Sequence, residues 1–343
     1  MTDVGVKFLE ALRAKMMIDD EWTQQRERGF TWWAFRLAQH FEVDPPVFDG
    51  VIDIYAVRIW TETVRNVDPA ANPATMIALA NIHQDLNATV WDPDTATISE
   101  CCTTYVNEEN FEWMANLVAA AAVIQNSAAH SRAHALADTC GGVPAASDHP
   151  VMGFRPEMDD VLNVPEQVVV PMGAEPSRFA GPGMAKVVDF LTHVGIAGSS
   201  DETEVRFSLP FCDHDTEMAL IAAGKNPPMS HGQILADVPH PQVGNGALTL
   251  MWPPSHPDFE NPAALANALN HAEAHCESGV PLLGAWRPDP TAEDGTGLAF
   301  CSFLPNLVAR PGLIANQVLY LRRRSAFAAH WLWQRTADDR EHS

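Results

Sequence analysis

Two histidine pairs stand one helical turn apart, a spacing that lets both rings reach one metal ion from a single helix face. His130 and His134 are followed by Cys140, while His271 and His275 enclose Glu273 and precede Cys276. Neither pair forms a His-Glu-x-x-His motif. His130 recurs in the second half as His330, but His134 has no counterpart there, so the pair itself is not duplicated. Both pairs are therefore expected to be surface or packed histidines, with no metal and no cofactor. Asp213-His214-Asp215 places a possible general base between carboxylates. Its expected home is an exposed loop after a strand.

The sequence has no Gly-x-Ser-x-Gly elbow, no phosphate-cradling loop and no dinucleotide fingerprint. The six cysteines, Cys101, Cys102, Cys140, Cys212, Cys276 and Cys301, lack zinc-knuckle or redox spacing and are expected to be reduced and mostly buried. Arg322-Arg323-Arg324 is the one dense basic cluster. Consecutive helical positions diverge, so it is expected to form a solvated face near a helix C-terminus. The tryptophans are core candidates except Trp32, whose phase marks it as an exposed anchor. No catalytic residue is assigned. The alternative is a metal-dependent or otherwise unrecognised enzyme using a His/Cys cluster.

The elements that must carry these residues are duplicated. Ala115-Asn116-x-Val118 through Ala128-Ala129-His130 returns as Ala315-Asn316-x-Val318 through Ala328-Ala329-His330, offset by 200 residues. Three upstream strings recur in the same order: Asn72-Pro73-Ala74 as Asn261-Pro262-Ala263, Ala78 to Asn81 as Ala264 to Asn267, and Trp91 to Thr95 as Trp286 to Thr291. Ordered recurrence predicts duplicated modules. A chain of 343 residues accommodates two cores, and the expected division is 1–140, a Pro/Gly-rich connector 141–182, a second domain 183–335 and a polar tail 336–343.

Each module reads in one order. Asp3 caps a helix whose Phe8, Leu9, Leu12 and Met16 share a face. Alternation over 33–43 and the β-rich stretch 51–64 predict strands, and Asn72 before Pro73 caps a second helix ending near Asn87. A hairpin over 88–106 leads to a long helix from about Glu109 to Ala137, stopped by Gly141-Gly142. In the connector, Val168 to Val170 suggests an edge strand. The second copy restarts with the helix face Val187, Val188, Leu191 and Val194 and the strand Val205 to Phe211; Asn245-Gly246 is expected to turn a hairpin.

With 44 acidic against 21 basic residues the net charge is −23, which disfavours nucleic acid and anionic lipid as partners. No apolar run approaches the ~20 residues that span a bilayer. The N-terminal Asp3, Lys7, Glu10, Arg13 and Lys15 interrupt any signal-peptide core. A cytoplasmic, soluble protein is expected.

The order helix, antiparallel strands, helix, strand pair, long helix resembles the type III secretion chaperone-like family, including its YbjN-type bacterial members. The resemblance lies in Ala78 to Asn81, Trp91 to Asp94 and the helix from Asn110 to Ala137, and again in Ala264 to Asn267, Trp286 to Asp289 and the helix from Pro311 to Trp333. It implies an α+β fold of two tandem domains, each a curved antiparallel sheet with helices packed on one side. Its members resemble small acidic homodimers holding an extended client segment, so this chain looks like a covalent pair, with a monomeric pseudo-dimer and a homo-oligomer both left open. The chain departs from them in its size and its long connector. The implied function is non-enzymatic protein binding, as a chaperone-like or regulatory adaptor.

Overall fold

The computed structural model describes residues 3–83, 86–163, 175–240, 243–254, 261–292 and 297–341. The fold is α+β and contains two antiparallel sheets. Two compact units emerge: Met1–Val169 with Asn270–Ala285, and Val170–Leu269 with Trp286–Ser343. Residues 270–285 thus lie with the first unit, although the sequence reading placed them in the second domain. Hydrogen bonds explain the transfer: Thr103 N–H donates to Leu282 O at 3.2 Å, Leu282 N–H to Thr103 Oγ1 at 3.1 Å, and Tyr105 O–H to Cys276 O at 2.7 Å. Val280 and Leu282 are wholly buried.

In the first unit α1 (Val4–Lys15) begins at Asp3, whose Oδ1 accepts from Val6 N at 3.1 Å as expected of an N-cap. Gly5 lets this helix approach the sheet, since a Cβ there would strike Val43 and Tyr55. Strands β1 (Thr23–Arg26), β2 (Gly29–Trp33), β3 (Ala38–Val43), β4 (Val47–Phe48) and β5 (Asp53–Arg65) follow. Then come α2 (Pro73–Ala80), the hairpin β6 (Ala88–Asp92) and β7 (Thr97–Val106), the long α3 (Phe111–Cys140), and β8 (Val143–Pro144). The main sheet runs β1-β2-β3-β5-β7-β6, with β4 and β8 paired to β5. Along β5 the residues Tyr55, Val57, Ile59, Thr61 and Thr63 are buried while their neighbours Ala56, Arg58, Trp60 and Glu62 are half-exposed, the period of a sheet covered on one side. Helix α3 packs over β5 and β7 and stops at Gly141, whose φ of 69° closes the last turn onto Ala137 O.

Three local expectations fail here for physical reasons. The stretch 33–43 is two strands, because the backbone of the intervening turn is held elsewhere: Arg155 Nη1 donates to Trp33 O at 2.8 Å, Asp159 N to Ala34 O at 2.9 Å, and Ser147 N to Arg36 O at 2.9 Å. Residues of the expected connector thereby wrap the first unit. Every residue of β2 is buried, on both faces, so Trp32 is not an exposed anchor: it is fully buried and its Nε1 donates to Asp19 Oδ1 at 3.2 Å. Asn72 makes no side-chain cap; with φ of 53° it closes the turn Pro69–Ala71, and α2 ends at Ala80 rather than near Asn87. The Val168–Val170 run lies outside the described residues.

The second unit repeats the plan. Its elements are α4 (Val187–His193), β9 (Ala197–Ser200), β10 (Glu204–Pro210), α5 (His214–Ala222), β11 (Met229–His240), β12 (Gly244–Trp252), α6 (Pro262–Ala274), β13 (Ala285–Pro288), β14 (Leu298–Pro305) and α7 (Leu313–Glu341). The sheet order β9-β10-β11-β12-β14-β13 matches that of the first unit strand for strand. Helix α5 is an addition, and α7 runs on to Glu341 through most of the expected tail. Asn245 and Gly246 do not turn the hairpin: they lie within β12, opposite Pro239 and Val238. Glycine is required at 246 because a Cβ would strike the Leu304 carbonyl on β14.

Beneath α3 a polar row crosses the first sheet, with Gln39 opposite Thr61, Thr61 opposite Glu100, and Glu100 opposite Thr89. All four are fully buried. From α3, Gln125 Oε1 accepts from Gln39 Nε2 at 2.6 Å and Thr61 Oγ1 at 3.3 Å, and Asn126 Nδ2 donates to Gln39 Oε1 at 3.0 Å. The Glu100 carboxylate accepts from Asn87 Nδ2 at 2.6 Å, Thr89 Oγ1 at 2.9 Å and Arg132 Nη1 at 3.3 Å. In the second unit the row on the corresponding strands is Ile234, Thr249 and Ser302.

Candidate functional site

The residues singled out for chemistry are dispersed. His130 faces inward from α3, where Nδ1–H donates to Asn126 O at 2.9 Å and Nε2 accepts from Leu37 N at 3.2 Å. Both ring nitrogens are used, and burial holds its pKa below the ordinary imidazole value, so the ring is neutral at neutral pH. His134 is exposed, and Cys140 is buried in an apolar cluster with Val64, Ile77, Ile98 and Leu136. His330, the repeat partner of His130, is exposed. His271 and His275 stack at 4.4 Å; His275 Nδ1 donates to His271 O at 2.8 Å, and His271 Nε2 lies 3.7 Å from Asp92 Oδ1. Among the described residues no three His, Cys, Asp or Glu side chains gather as a metal would require.

His214 is not in a loop: it opens α5, for which Asp213 is the N-cap, accepting from Thr216 N at 2.8 Å. The cysteines are free thiols, and burial raises Cys102 to about 12 and Cys276 to about 11, far from nucleophilic thiolate. Arg324 overturns the expectation of a solvated basic face, being 1% exposed with its guanidinium 3.8 Å from the Phe300 ring centroid. A planar, weakly hydrated guanidinium tolerates that aromatic burial where an ammonium would not. A cleft lined by Trp22 and residues 155–160 already holds a cation of the chain itself. There Arg155 lies 5.4 Å from the Trp22 ring and bonds Asp19 and Asp159, each at 2.9 Å.

What remains open is backbone and apolar surface. Strand β9 ends its sheet, and Ala197, Gly198 and Ser199 are exposed. Among the described residues, Ala197–Ser200 takes backbone partners only from β10. The strand carries no charge and no proline, the two devices that usually block an edge. Its inner side is fixed: Ser200 Oγ accepts from Val188 N at 3.0 Å and donates to Ala185 O at 2.6 Å. A second open feature is the β4–β5 turn, where Val47, Phe48 and Val51 are 65–87% exposed. Asp49 Oδ1 orders that turn by accepting from Val51 N and Ile52 N, both at 2.9 Å. Sequence reasoning passed over β9 because Ala-Gly-Ser-Ser has little strand propensity; its place beside the alternating β10 was the available signal.

Searches against protein-family models, curated proteins and solved structures found no match to this chain. Among the described residues no helix is long and apolar enough to cross a membrane.

Proposed function

We propose that this chain is a non-enzymatic, cytoplasmic protein-binding protein of the type III secretion chaperone-like kind, taking an extended segment of a partner onto an open sheet edge. The observation that carries the reading is β9: an exposed, uncharged edge strand with small side chains whose outer backbone groups take no partner among the described residues. An incoming strand gains main-chain hydrogen bonds there without displacing any side chain. The element order of both units, with β7 or β14 inside the sheet and its hairpin partner β6 or β13 at the edge, supports the chaperone-like assignment. The net charge of −23 favours partners with basic segments.

The test is affinity capture from the native host with the intact chain and with Ser199→Pro, which places a rigid, donor-free residue in the edge. A reproducible partner of the intact chain that is lost from the variant is expected. No partner for either chain, together with turnover of a small molecule by the purified protein, would sink the reading.

A further inference from the structure

The second unit already binds one peptide segment, and it does so almost entirely through that segment's backbone. Residues Glu175–Phe179 lie outside any helix or strand. Ser177 N–H donates to Asp237 Oδ1 at 2.8 Å. Asn245 Nδ2 donates to Glu175 O at 2.6 Å. Asn306 grips two groups at once, since its Oδ1 accepts from Arg178 N at 2.8 Å and its Nδ2 donates to Pro176 O at 3.1 Å. A carboxamide reading the C=O of one residue and the N–H two residues on satisfies a peptide much as a neighbouring strand would.

The three gripping side chains come from separate parts of the sheet. Asp237 sits in the irregularity between Leu235 and Val238 on β11, in the left-handed region with φ of 60°. Holding a non-glycine residue there is a strain of the kind that recurs at ligand clamps. Asn245 is on β12, and buried Asn306 opens the turn after β14. The segment's own side chains contribute at two positions: Ser177 Oγ donates to Gly246 O at 3.3 Å, and Phe179 is buried. Glu175 and Arg178 point away and pair with each other at 2.9 Å. The grip is also incomplete, because among the described residues no donor meets the buried Asn245 Oδ1. Hydrogen bonds that test no side chain are transferable to another segment.

We propose that Asp237, Asn245 and Asn306 form a peptide-backbone clamp, that Glu175–Phe179 is its ligand in cis, and that a partner segment carrying serine two residues before an aromatic takes the same place in trans. The proposal rests on the chain being a protein-binding protein and adds a site distinct from the β9 edge. Covalent attachment keeps the cis ligand at high effective concentration, so the clamp is closed to weak competitors and opens to a segment that also engages elsewhere.

The probe is a labelled peptide copying residues 175–181, titrated into the full chain. Arg178→Pro disarms the cis ligand by deleting the N–H given to Asn306, at a position whose side chain is 61% exposed. Losing one hydrogen bond from the competitor should tighten peptide binding about tenfold. Adding Asn306→Ala should remove that gain. Equal binding by the intact chain and a folded Arg178→Pro, or a gain that survives Asn306→Ala, would overturn the clamp. If Arg178→Pro does not fold, hydrogen exchange on the intact chain decides: excess peptide should speed exchange at the Ser177 and Arg178 amides, and unchanged exchange counts against the proposal. A partner lost from Ser199→Pro but retained by Asn306→Ala would sink the clamp alone and leave the protein-binding reading standing.

Discussion

The two units share a strand order and differ beneath their long helices. Under α3, the buried row of Gln39, Thr61, Glu100 and Thr89 is matched by Gln125, Asn126 and Arg132 from above. Helix α7 instead packs on β10 and β11, and a paired row of the second sheet is Ile234, Thr249 and Ser302. At the repeat positions of Gln125 and Asn126 the helix carries Ser325 and Ala326, and Ser325 Oγ meets Ser230 Oγ at 2.8 Å. The first helix is thus held by a connected polar network that crosses its sheet, and α7 by separate polar contacts, Ser325 with Ser230 and Pro210 O and Arg322 with Val194 O. The two long helices share small residues, Ala128 and Ala129 with Ala328 and Ala329, and differ in how they are attached.

The sharpest way to break this comparison is to delete the carboxylate. Glu100→Ala strands Arg132, Asn87 and Thr89 around an empty position and should cost the first unit about 3–5 kcal/mol, whereas Ser302→Ala should cost the second about 1 kcal/mol. Urea unfolding read by hydrogen exchange assigns each loss to its unit; equal losses would erase the distinction. Acid comes next. Burial, then the nearby Arg26, lowers the His40 pKa from 6.5 to about 4. The unfolded chain thus takes up a proton that the folded one refuses. Stability is full above pH 6.5 and falls as pH drops towards about 4, by no more than about 3 kcal/mol. His40→Gln should flatten that decline, and an unchanged profile would remove His40 from the account.

A smaller effect is expected at the helix. Gln125→Leu should destabilise the first unit by about 2 kcal/mol, against about 1 kcal/mol for Ser325→Ala in the second, both by urea titration. The smallest contrast uses the duplicated histidine itself. His130→Ala removes the acceptor for Leu37 N and should cost about 1–2 kcal/mol, while the exposed His330→Ala should stay within about 0.5 kcal/mol. Matching losses at the two sites would mean that the repeat preserves a role at this position as well as a packing surface.

Elements specified by local pattern were legible in the sequence. The face of α1, the β-rich composition of β5, the β6–β7 hairpin and the glycine stop of α3 all depend on residues within a few positions of each other. Features set by distant partners were not. Trp32 is buried because both faces of β2 are covered, and the break after Trp33 is held by Ser147, Arg155 and Asp159 from beyond α3. Gln39 meets Gln125 across 86 positions, and nothing in either neighbourhood announces the other. Arg324 lies in a string that looks solvated, and only the Phe300 ring beneath it makes burial tolerable. Asn245-Gly246 carries the chemistry of a turn, yet the close approach of β14 at Gly246 already accounts for the glycine. Of the proposed clamp residues, Asp237 and Asn306 carry no signal in the sequence and Asn245 reads only as a turn, because what joins them is a segment some 60 to 130 positions away.

The polar row under α3 also acts as an identity check on assembly. Two long helices of like origin compete for two sheets of like topology, a situation that invites exchange while the chain is folding. Docking α7 onto the first sheet would leave Gln39 and Glu100 dry and without the carboxamides and guanidinium that satisfy them, a penalty of several kcal/mol. Docking α3 on the second sheet would part Gln125 from Gln39 and Thr61. Each helix is thereby addressed to its own half, and a chain with two sheets of like topology folds without confusing them.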